Sequence, residues 1–199
     1  MLRHDQLDVD LAMVLVIDVQ EKLLPLIEGK ERVIAGARKL LQGVAVFELP
    51  VLVTEQYSKG LGGTVAPVRE ALPKHAKVIE KPTFSAWADD GVRAAMLAMD
   101  RTQVIIAGIE THVCVQQTAL DLRSRDFEVF VCADAVGSRA LVDHETALNR
   151  MRQAGVLVTT AESVLFELCQ RCDTRQFKAM LEVIKEGNAE THKHRNAET

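Results

Sequence analysis

The sequence predicts an α/β protein: a single doubly wound, Rossmann-like domain in which helices cover both faces of a six-stranded parallel sheet. Short apolar runs, which suit strands buried on both faces, alternate along most of the chain with segments of helical apolar spacing. The 199 residues suit one domain with a full core, and no internal repeat or linker divides them. We therefore assign residues 1–199 to one domain.

Six segments have the composition of strands. The first ends at Asp18, and Pro50 restarts the chain before the second. The predicted strands are residues 11–17, 51–54, 77–80, 104–107, 128–132 and 156–158. Because helices connect parallel strands, the carboxyl ends of these strands are expected at one edge of the sheet.

Helical spacing fills most of the intervals between the strands. The clearest amphipathic pattern covers residues 30–47, and Asp89 or Asp90 can cap the helix after the third strand. The glycine-rich segment 59–63 is predicted as a flexible loop near a pocket. Two short helices are predicted after the sixth strand, and the polar tail, residues 187–199, is predicted to be disordered.

Charge and composition exclude several classes of partner. The net charge is −4 and aromatic residues make up only 4% of the chain, so neither nucleic acid nor a membrane surface is an expected partner. No stretch approaches the ~20 apolar residues of a membrane span, and the amino terminus lacks the apolar core of a signal peptide. We expect a cytoplasmic protein.

The 4 cysteines form no dense disulfide framework. Cys169 and Cys172 have C-x-x-C spacing, but no second cysteine pair or histidine cluster completes a zinc site. We interpret them as reduced helix cysteines, with redox or metal use as the alternative.

Three reactive side chains, Asp18, Lys81 and Cys114, follow three of the predicted strands. Doubly wound sheets bind ligands beyond the carboxyl ends of their strands. Cys114 lies where a strand ends and a helix begins, a setting that favours a thiolate and offers N–H donors to an oxyanion. Asp18 can accept the thiol proton, and Lys81 can stabilise the anion and orient Asp18. The three side chains suit attack on an amide or a similar carbonyl.

Several separate motifs, spread from residue 11 to about 155, resemble those of the isochorismatase-like cysteine hydrolases. This family includes nicotinamidases and N-carbamoylsarcosine amidohydrolases. The motifs are Val16-Ile17-Asp18-Val19-Gln20, Lys81-Pro82-Thr83-Phe84-Ser85-Ala86-Trp87, Gly108-Ile109-Glu110-Thr111-His112-Val113-Cys114-Val115 and Asp134-Ala135-Val136-Gly137-Ser138-Arg139 with His144.

The resemblance implies a catalytic triad of Asp18, Lys81 and Cys114. It also implies a cis peptide bond between Ile109 and Glu110, with the N–H groups of Glu110 and Cys114 as the oxyanion hole. The implied reaction is cleavage of a C–N bond in a small molecule through a thioester. Homo-oligomers, dimers or tetramers, are common in the family.

Departures from the family pattern narrow the subgroup. Metal-dependent nicotinamidases carry Asp-x-His and a further His after the second strand, whereas this chain has Thr54-Glu55-Gln56-Tyr57 and then Gly60-Leu61-Gly62. We therefore expect neither a metal nor another cofactor. This stretch is most similar to the isochorismatase-domain-containing branch. True isochorismatases lack the nucleophilic cysteine, so Cys114 argues against vinyl ether cleavage.

Five residues near the triad are candidates for substrate binding: Gln20, Tyr57, Phe84, Trp87 and His112. Gln20 and Tyr57 could instead contact a neighbouring subunit. Phe84 and Trp87 could instead pack in the core, and His112 could face solvent at the start of its helix.

Two other functions remain open alongside amide hydrolysis. The same fold could cleave another bond, such as an ester or an ether, or it could serve as a catalytically silent binding or scaffold protein. A Rossmann dehydrogenase is nearly excluded, because Asp18-Val19-Gln20-Glu21 stands where a glycine-rich turn should follow the first strand.

Overall fold

Six strands pair in parallel into one sheet in the computed structural model, which describes residues 6–197, with side chains as far as Gly187. The strands are β1 (Ala12–Ile17), β2 (Val51–Gln56), β3 (Lys77–Lys81), β4 (Gln103–Ile109), β5 (Glu128–Gly137) and β6 (Leu157–Thr159). Their order across the sheet is β3-β2-β1-β4-β5-β6, and every pairing is parallel. The predicted fold class is confirmed.

Helices connect the strands. They are α1 (Lys30–Ala45), α2 (Ser58–Leu61), α3 (Ala66–Glu70), α4 (Asp90–Leu97), α5 (Gln116–Arg123), α6 (Leu141–Gln153), α7 (Ala161–Cys169) and α8 (Arg175–Ala197). A 3₁₀ turn covers Leu24–Leu26, and a π-helical turn, Thr111–Val115, leads into α5. Asp89 caps α4, since its carboxylate accepts a hydrogen bond from the Val92 N–H at 2.9 Å.

The core consists of two apolar layers, one on each face of the sheet. Val14 and Val16 of β1 point into the layer that α1, α7 and α8 cover, whereas Leu15 and Ile17 point into the layer covered by α4, α5 and α6. Every residue of β1 is buried, which explains why its sequence is a continuous apolar run without alternation.

The strand order reverses between β1 and β4. The chain builds outward from β1 through β2 to β3, and then crosses back to place β4 on the other side of β1. At the carboxyl ends of these two strands the main chains approach closely. Gly108 has φ +129°, and a Cβ atom there would lie 2.1 Å from the Ile17 carbonyl oxygen, so only glycine fits. Ligands of doubly wound proteins bind at this kind of reversal.

Several elements differ from their predictions. β5 continues to Gly137, beyond the predicted 128–132, and its pairing with β4 shifts register between Ile106 and Gly108. The predicted flexible loop 59–63 contains most of α2. Cys172 follows α7 and is exposed, so it is not a helix cysteine, while Cys169 is buried at the helix end.

The last helix is longer than predicted. Its backbone is helical to Ala197, although its first residue, Arg175, lies where the second short helix was expected. The predicted disordered tail, residues 187–199, therefore begins inside α8. The side chains of 188–197 and all of 198–199 lie outside the described residues, so the disorder of the tail stays a prediction. Among the residues described, no helix is long and apolar enough to cross a membrane.

Candidate active site

Asp18 lies directly after β1, at the reversal of strand order. It has φ +54°, in the left-handed region that Asp tolerates better than most residues, and its side chain is fully buried. Its Oδ1 accepts a hydrogen bond from Thr54 Oγ1 at 2.7 Å, and its Oδ2 accepts one from Lys81 Nζ at 2.6 Å. Both carboxylate oxygens are thus held in place, one from β2 and one from β3.

Lys81 is the last residue of β3, two strands away from β1, and its side chain is also fully buried. Besides Asp18, its ammonium group donates to the carbonyl oxygens of Thr83 at 2.9 Å and Phe84 at 3.4 Å. An ammonium group has three protons, and these acceptors use all of them. The Lys81 ammonium group is therefore held in place by Asp18 and by the segment that follows β3.

Cys114 lies in the π-helical turn after β4, and only 5% of its surface is exposed. Its Sγ donates a hydrogen bond to Gln56 Oε1 at 3.3 Å. Burial raises the pKa of the thiol to about 12, and the charge of Asp18 acts in the same direction, whereas Lys81 lowers it. The raised pKa runs against the thiolate-favouring setting expected from the sequence, because burial and Asp18 outweigh Lys81.

A neutral thiol beside a carboxylate defines what this arrangement can do chemically. Burial keeps the proton on Cys114 Sγ, and Asp18 is a carboxylate beside it that could accept this proton. Any nucleophilic use of the sulfur would need the proton to leave as the new bond forms, in contrast to sites that hold a preformed thiolate.

Side chains from the next βα unit hold the turn that carries Cys114. Arg139 donates from its main-chain N and from Nε to Glu110 Oε2, at 3.1 and 3.0 Å. His112 Nδ1 and the Ser138 hydroxyl form a hydrogen bond of 3.0 Å.

Between these two contacts, Thr111 Oγ1 lies 2.9 Å from Nδ1 of His144, which is in α6. Burial lowers the pKa of His144, and the Arg32 charge lowers it in the same direction. Three successive residues, 110 to 112, are therefore each bonded to the segment that follows β5.

The main chain of this turn is also well defined. The peptide bond between Ile109 and Glu110 is cis. The carbonyl oxygen of Glu110 accepts hydrogen bonds from the N–H groups of Val113 at 3.1 Å and Val115 at 3.2 Å. These bonds close the turn around Cys114.

The five candidate substrate-binding residues have different environments. Gln20 is fully buried, and its amide is bonded to the main chain of Gln56 and Gly62. Trp87 packs edge-on against Phe127, with Arg125 over its ring, in the core layer of α4, α5 and α6.

Three of the candidates are exposed or partly exposed. The exposed fraction is 61% for Tyr57 and 54% for Phe84. Tyr57 N donates to the Lys81 carbonyl oxygen, and the Phe84 carbonyl oxygen accepts from Lys81 Nζ, so both residues adjoin the triad lysine. His112 is partly exposed, and its Nε2 lies 3.9 Å from Asp143.

Thr54 and Gln56 also touch triad side chains, and Thr54 was not among the predicted site residues. The sequence signal for them was weak: two polar residues at the end of an apolar strand. Within the described residues, no group of three or more His, Cys, Asp or Glu side chains could hold a metal ion.

The chain resembles known proteins over most of its length. The family model of the isochorismatase domain matches residues 12–163. Isochorismatase domain-containing protein 1 of Salmo salar is 40% identical over 168 residues, which cover 84% of this chain and 59% of that protein. Isochorismatase domain-containing protein 2 of Danio rerio is 37% identical over 182 residues, 90% of each chain. The chain therefore spans less than two thirds of the first relative.

Solved structures have the same fold. A protein described as MAR1 ribonuclease from Caenorhabditis elegans superposes with a TM-score of 0.85 at 34% identity, covering 90% of this chain and 92% of that one. YcaC from Pseudomonas aeruginosa, described with covalent acrylamide, gives 0.85 at 28% identity over 98% and 100% of the two chains. YcaC from Escherichia coli, described as an octameric hydrolase of unknown specificity, gives 0.84 at 26% identity over 99% and 100%.

Fold and site together define an α/β protein with a cysteine, an aspartate and a lysine at the reversal of its sheet. The chain belongs to the isochorismatase-domain family. The resemblance noted in the sequence is thereby confirmed.

Proposed function

We propose that this protein is a cysteine-dependent hydrolase that cleaves a C–N bond of a small amide or related compound through a thioester. The observation that carries the proposal is the convergence of Asp18, Lys81 and Cys114 from three strands, with the buried Lys81–Asp18 pair beside the thiol. The description of one relative as a hydrolase, and of another as carrying covalent acrylamide, supports it.

In the first half of the reaction, Asp18 takes the proton of Cys114 as sulfur attacks the carbonyl carbon of the substrate. A C–S bond forms, and the carbonyl electron pair moves to oxygen, where the N–H groups of Glu110 and Cys114 are the proposed donors. The oxyanion then collapses and the C–N bond breaks. Asp18 returns its proton to the leaving nitrogen, which departs as ammonia or an amine.

In the second half, water attacks the thioester and gives a proton to Asp18. The tetrahedral intermediate collapses, the C–S bond breaks, and the protonated Asp18 returns its proton to Cys114. The product is a carboxylic acid. Lys81 takes no proton in this scheme; its charge orients Asp18 and stabilises the negative charge that moves between carboxylate and sulfur.

Tyr57, Phe84 and His112 are the residues we propose to contact substrate. Their support is their surface exposure near the triad. Gln20 and Trp87 are not included, because the amide of Gln20 is bonded to main chain and the ring of Trp87 packs in the core.

The proposal is tested by a product screen on the purified protein. A panel of small amides is assayed for ammonia release, and a matched panel of esters for acid release, with RNA oligonucleotides as a third arm because one relative is described as a ribonuclease. We expect ammonia release that Cys114→Ser and Asp18→Asn abolish and that Cys172→Ser leaves unchanged.

A second measurement identifies the intermediate. Intact-mass analysis during turnover should show the acyl group on Cys114, and hydroxylamine should release it as a hydroxamate. Acid release from esters without ammonia from any amide would favour the alternative bond. The absence of turnover in all three arms would favour a binding or scaffold role.

Assembly and location are further proposals. We expect a homo-oligomer, a dimer or tetramer, supported by the exposed apolar side chains of Leu141 and Val142 and by the octamer described for one relative. Light scattering on the purified chain tests this. A cytoplasmic location is supported by the free thiols of all four cysteines, Cys114, Cys132, Cys169 and Cys172.

A further inference from the structure

The side-chain amide of Gln56 touches the candidate nucleophile, and the proposed mechanism does not use it. Gln56 is the last residue of β2 and is the register partner of Lys81. Its Oε1 lies 3.3 Å from Cys114 Sγ and accepts a hydrogen bond from the thiol. A neutral acceptor therefore contacts the one atom that must be free to attack.

A second glutamine fixes the position of this amide. Gln20 is fully buried, and its Oε1 accepts from the Gln56 N–H at 2.7 Å while its Nε2 donates to the Gln56 carbonyl oxygen at 3.0 Å. The Nε2 also donates to the Gly62 carbonyl oxygen at 2.7 Å. Because the main chain of Gln56 is bonded on both sides, its side chain starts from a fixed point.

We propose that Gln56 is a positioning residue. In the resting enzyme its amide oxygen accepts a hydrogen bond from the Cys114 thiol, and it competes with Asp18 for this hydrogen bond. The inference rests on the proposed function. Cys114 has one proton and two acceptors beside it, Gln56 and Asp18. Gln56 neither gains nor loses a proton. Once substrate displaces the amide, the thiol proton passes to the Asp18 carboxylate and sulfur is free to bond to carbon.

Three charged groups also act on the thiol. Asp18 faces it from the end of β1, Lys81 from β3 and Glu110 from the end of β4, and each affects the Cys114 thiol electrostatically. Gln56 is the uncharged partner, on β2. Substitutions of Gln56 can therefore change the hydrogen bond alone, with Met, or add a charge, with Glu, while the length of the side chain is kept.

The two substitutions should have opposite effects. A hydrogen bond that the thiol donates stabilises the neutral form, so Gln56→Met should lower the pKa of Cys114, whereas Gln56→Glu should raise it. At fixed pH, iodoacetamide should alkylate Cys114 about threefold faster in Gln56→Met. The loss of one hydrogen bond raises the thiolate fraction, and the lower pKa makes each thiolate a weaker nucleophile, which offsets part of this gain. In Gln56→Glu the rate should fall by at least as much. Gln117→Met, at an exposed position in α5, is the matched control and should leave the rate unchanged.

A spectroscopic measurement reports the hydrogen bond itself. The S–H stretching band of Cys114, identified by its absence in Cys114→Ala, should shift in Gln56→Met, because the thiol loses one of its two acceptors and can donate only to Asp18. An unchanged band, or alkylation rates that move in the same direction in both Gln56 variants, would overturn the proposal. Neither readout needs a substrate, so a failed ammonia screen refutes the proposed function without deciding the role of Gln56.

Discussion

Lys81 Nζ lies 2.6 Å from Asp18 Oδ2, and neither side chain has any exposed surface. The two residues come from strands that are not neighbours, since β2 lies between β3 and β1. Burying such a pair costs desolvation free energy that its attraction only partly repays, and an apolar pair would serve stability at least as well. The position of the pair beside Cys114 supports a functional reason for it.

The first prediction concerns the two halves of this ion pair. Lys81→Met should lower the free energy of unfolding by ~3–5 kcal/mol, because it leaves the carboxylate of Asp18 buried without its cation. Urea denaturation measures the loss. Ammonia release should be abolished in the same variant.

The double variant Asp18→Asn/Lys81→Met is the control for this prediction. It removes both charges, so much of the lost stability should return while hydrolysis stays absent. A double variant no more stable than Lys81→Met would contradict the assignment of the loss to an unpaired charge.

The second prediction concerns the reactivity of the thiols. Because the pKa of Cys114 is raised to about 12, its thiol should react with iodoacetamide near neutral pH more slowly than the exposed Cys172 thiol. Peptide mass spectrometry over a time course follows each cysteine separately, and Cys172→Ser confirms the assignment. Faster labelling of Cys114 than of Cys172 would contradict a resting thiol.

The same raised pKa makes a third prediction, for stability at high pH. The unfolded thiol loses its proton above the ordinary cysteine pKa of 9.0, while the folded thiol, with its pKa raised to about 12, keeps it. Between these two pKa values the unfolded state binds fewer protons than the folded state. The contribution of Cys114 to the free energy of unfolding therefore falls as pH rises, by up to ~1.4 kcal/mol per pH unit. Unfolding free energies of wild type and Cys114→Ala at pH 7 and pH 10 check the sign: wild type should lose more. Cys132, also buried, is present in both proteins and cancels.

The sequence predicted where the strands begin better than where they end. β1 and β4 are buried on both faces, so their apolar runs are unambiguous. The end of β5 was missed, because Asp134 interrupts the apolar pattern, although its carboxylate accepts from the Ala161 N–H at 2.9 Å. Contacts between distant segments of this kind leave no trace in local spacing.

The candidate site was predictable only to the level of its triad. The positions of Asp18, Lys81 and Cys114 after strands indicate one edge of the sheet. The path of the Lys81 side chain and the burial that raises the pKa of the thiol depend instead on how other segments pack around them. The role of Gln20 shows the same limit. Its motif suggested a substrate contact, whereas its side-chain amide is hydrogen-bonded to the main chain of Gln56, at the end of β2.

The fourth prediction concerns the turn that carries Cys114. Arg139→Met removes the Nε bond to the Glu110 carboxylate, which is 11% exposed, and leaves only the main-chain N–H of residue 139 to hold it. The N–H of Glu110 is a proposed oxyanion donor. Misplacing such a donor should lower kcat by about tenfold or more. Stability should change by less than ~1 kcal/mol, because the Arg139 side chain is 60% exposed.

Arg171→Met is the matched control for this loss. Arg171 pairs with Asp173 on an exposed segment after α7, so its removal should leave kcat unchanged. Equal losses in the two arginine variants would show that the effect is not specific to the turn.

The fifth prediction concerns the closest approach of β1 and β4. In Gly108→Ala the new Cβ atom would meet the Ile17 carbonyl oxygen, at a φ of +129° that side chains rarely adopt, so the strands must separate where Asp18 and Cys114 are held. We expect a loss of more than ~3 kcal/mol in unfolding free energy, or failure to fold. Gly63→Ala is the control, since its Cβ would lie 3.6 Å from Glu55 Oε1, an ordinary contact, and should change stability by less than ~1 kcal/mol. A Gly108→Ala variant as stable as Gly63→Ala would mean that the two strands tolerate a wider spacing, and the site geometry would then not depend on their contact.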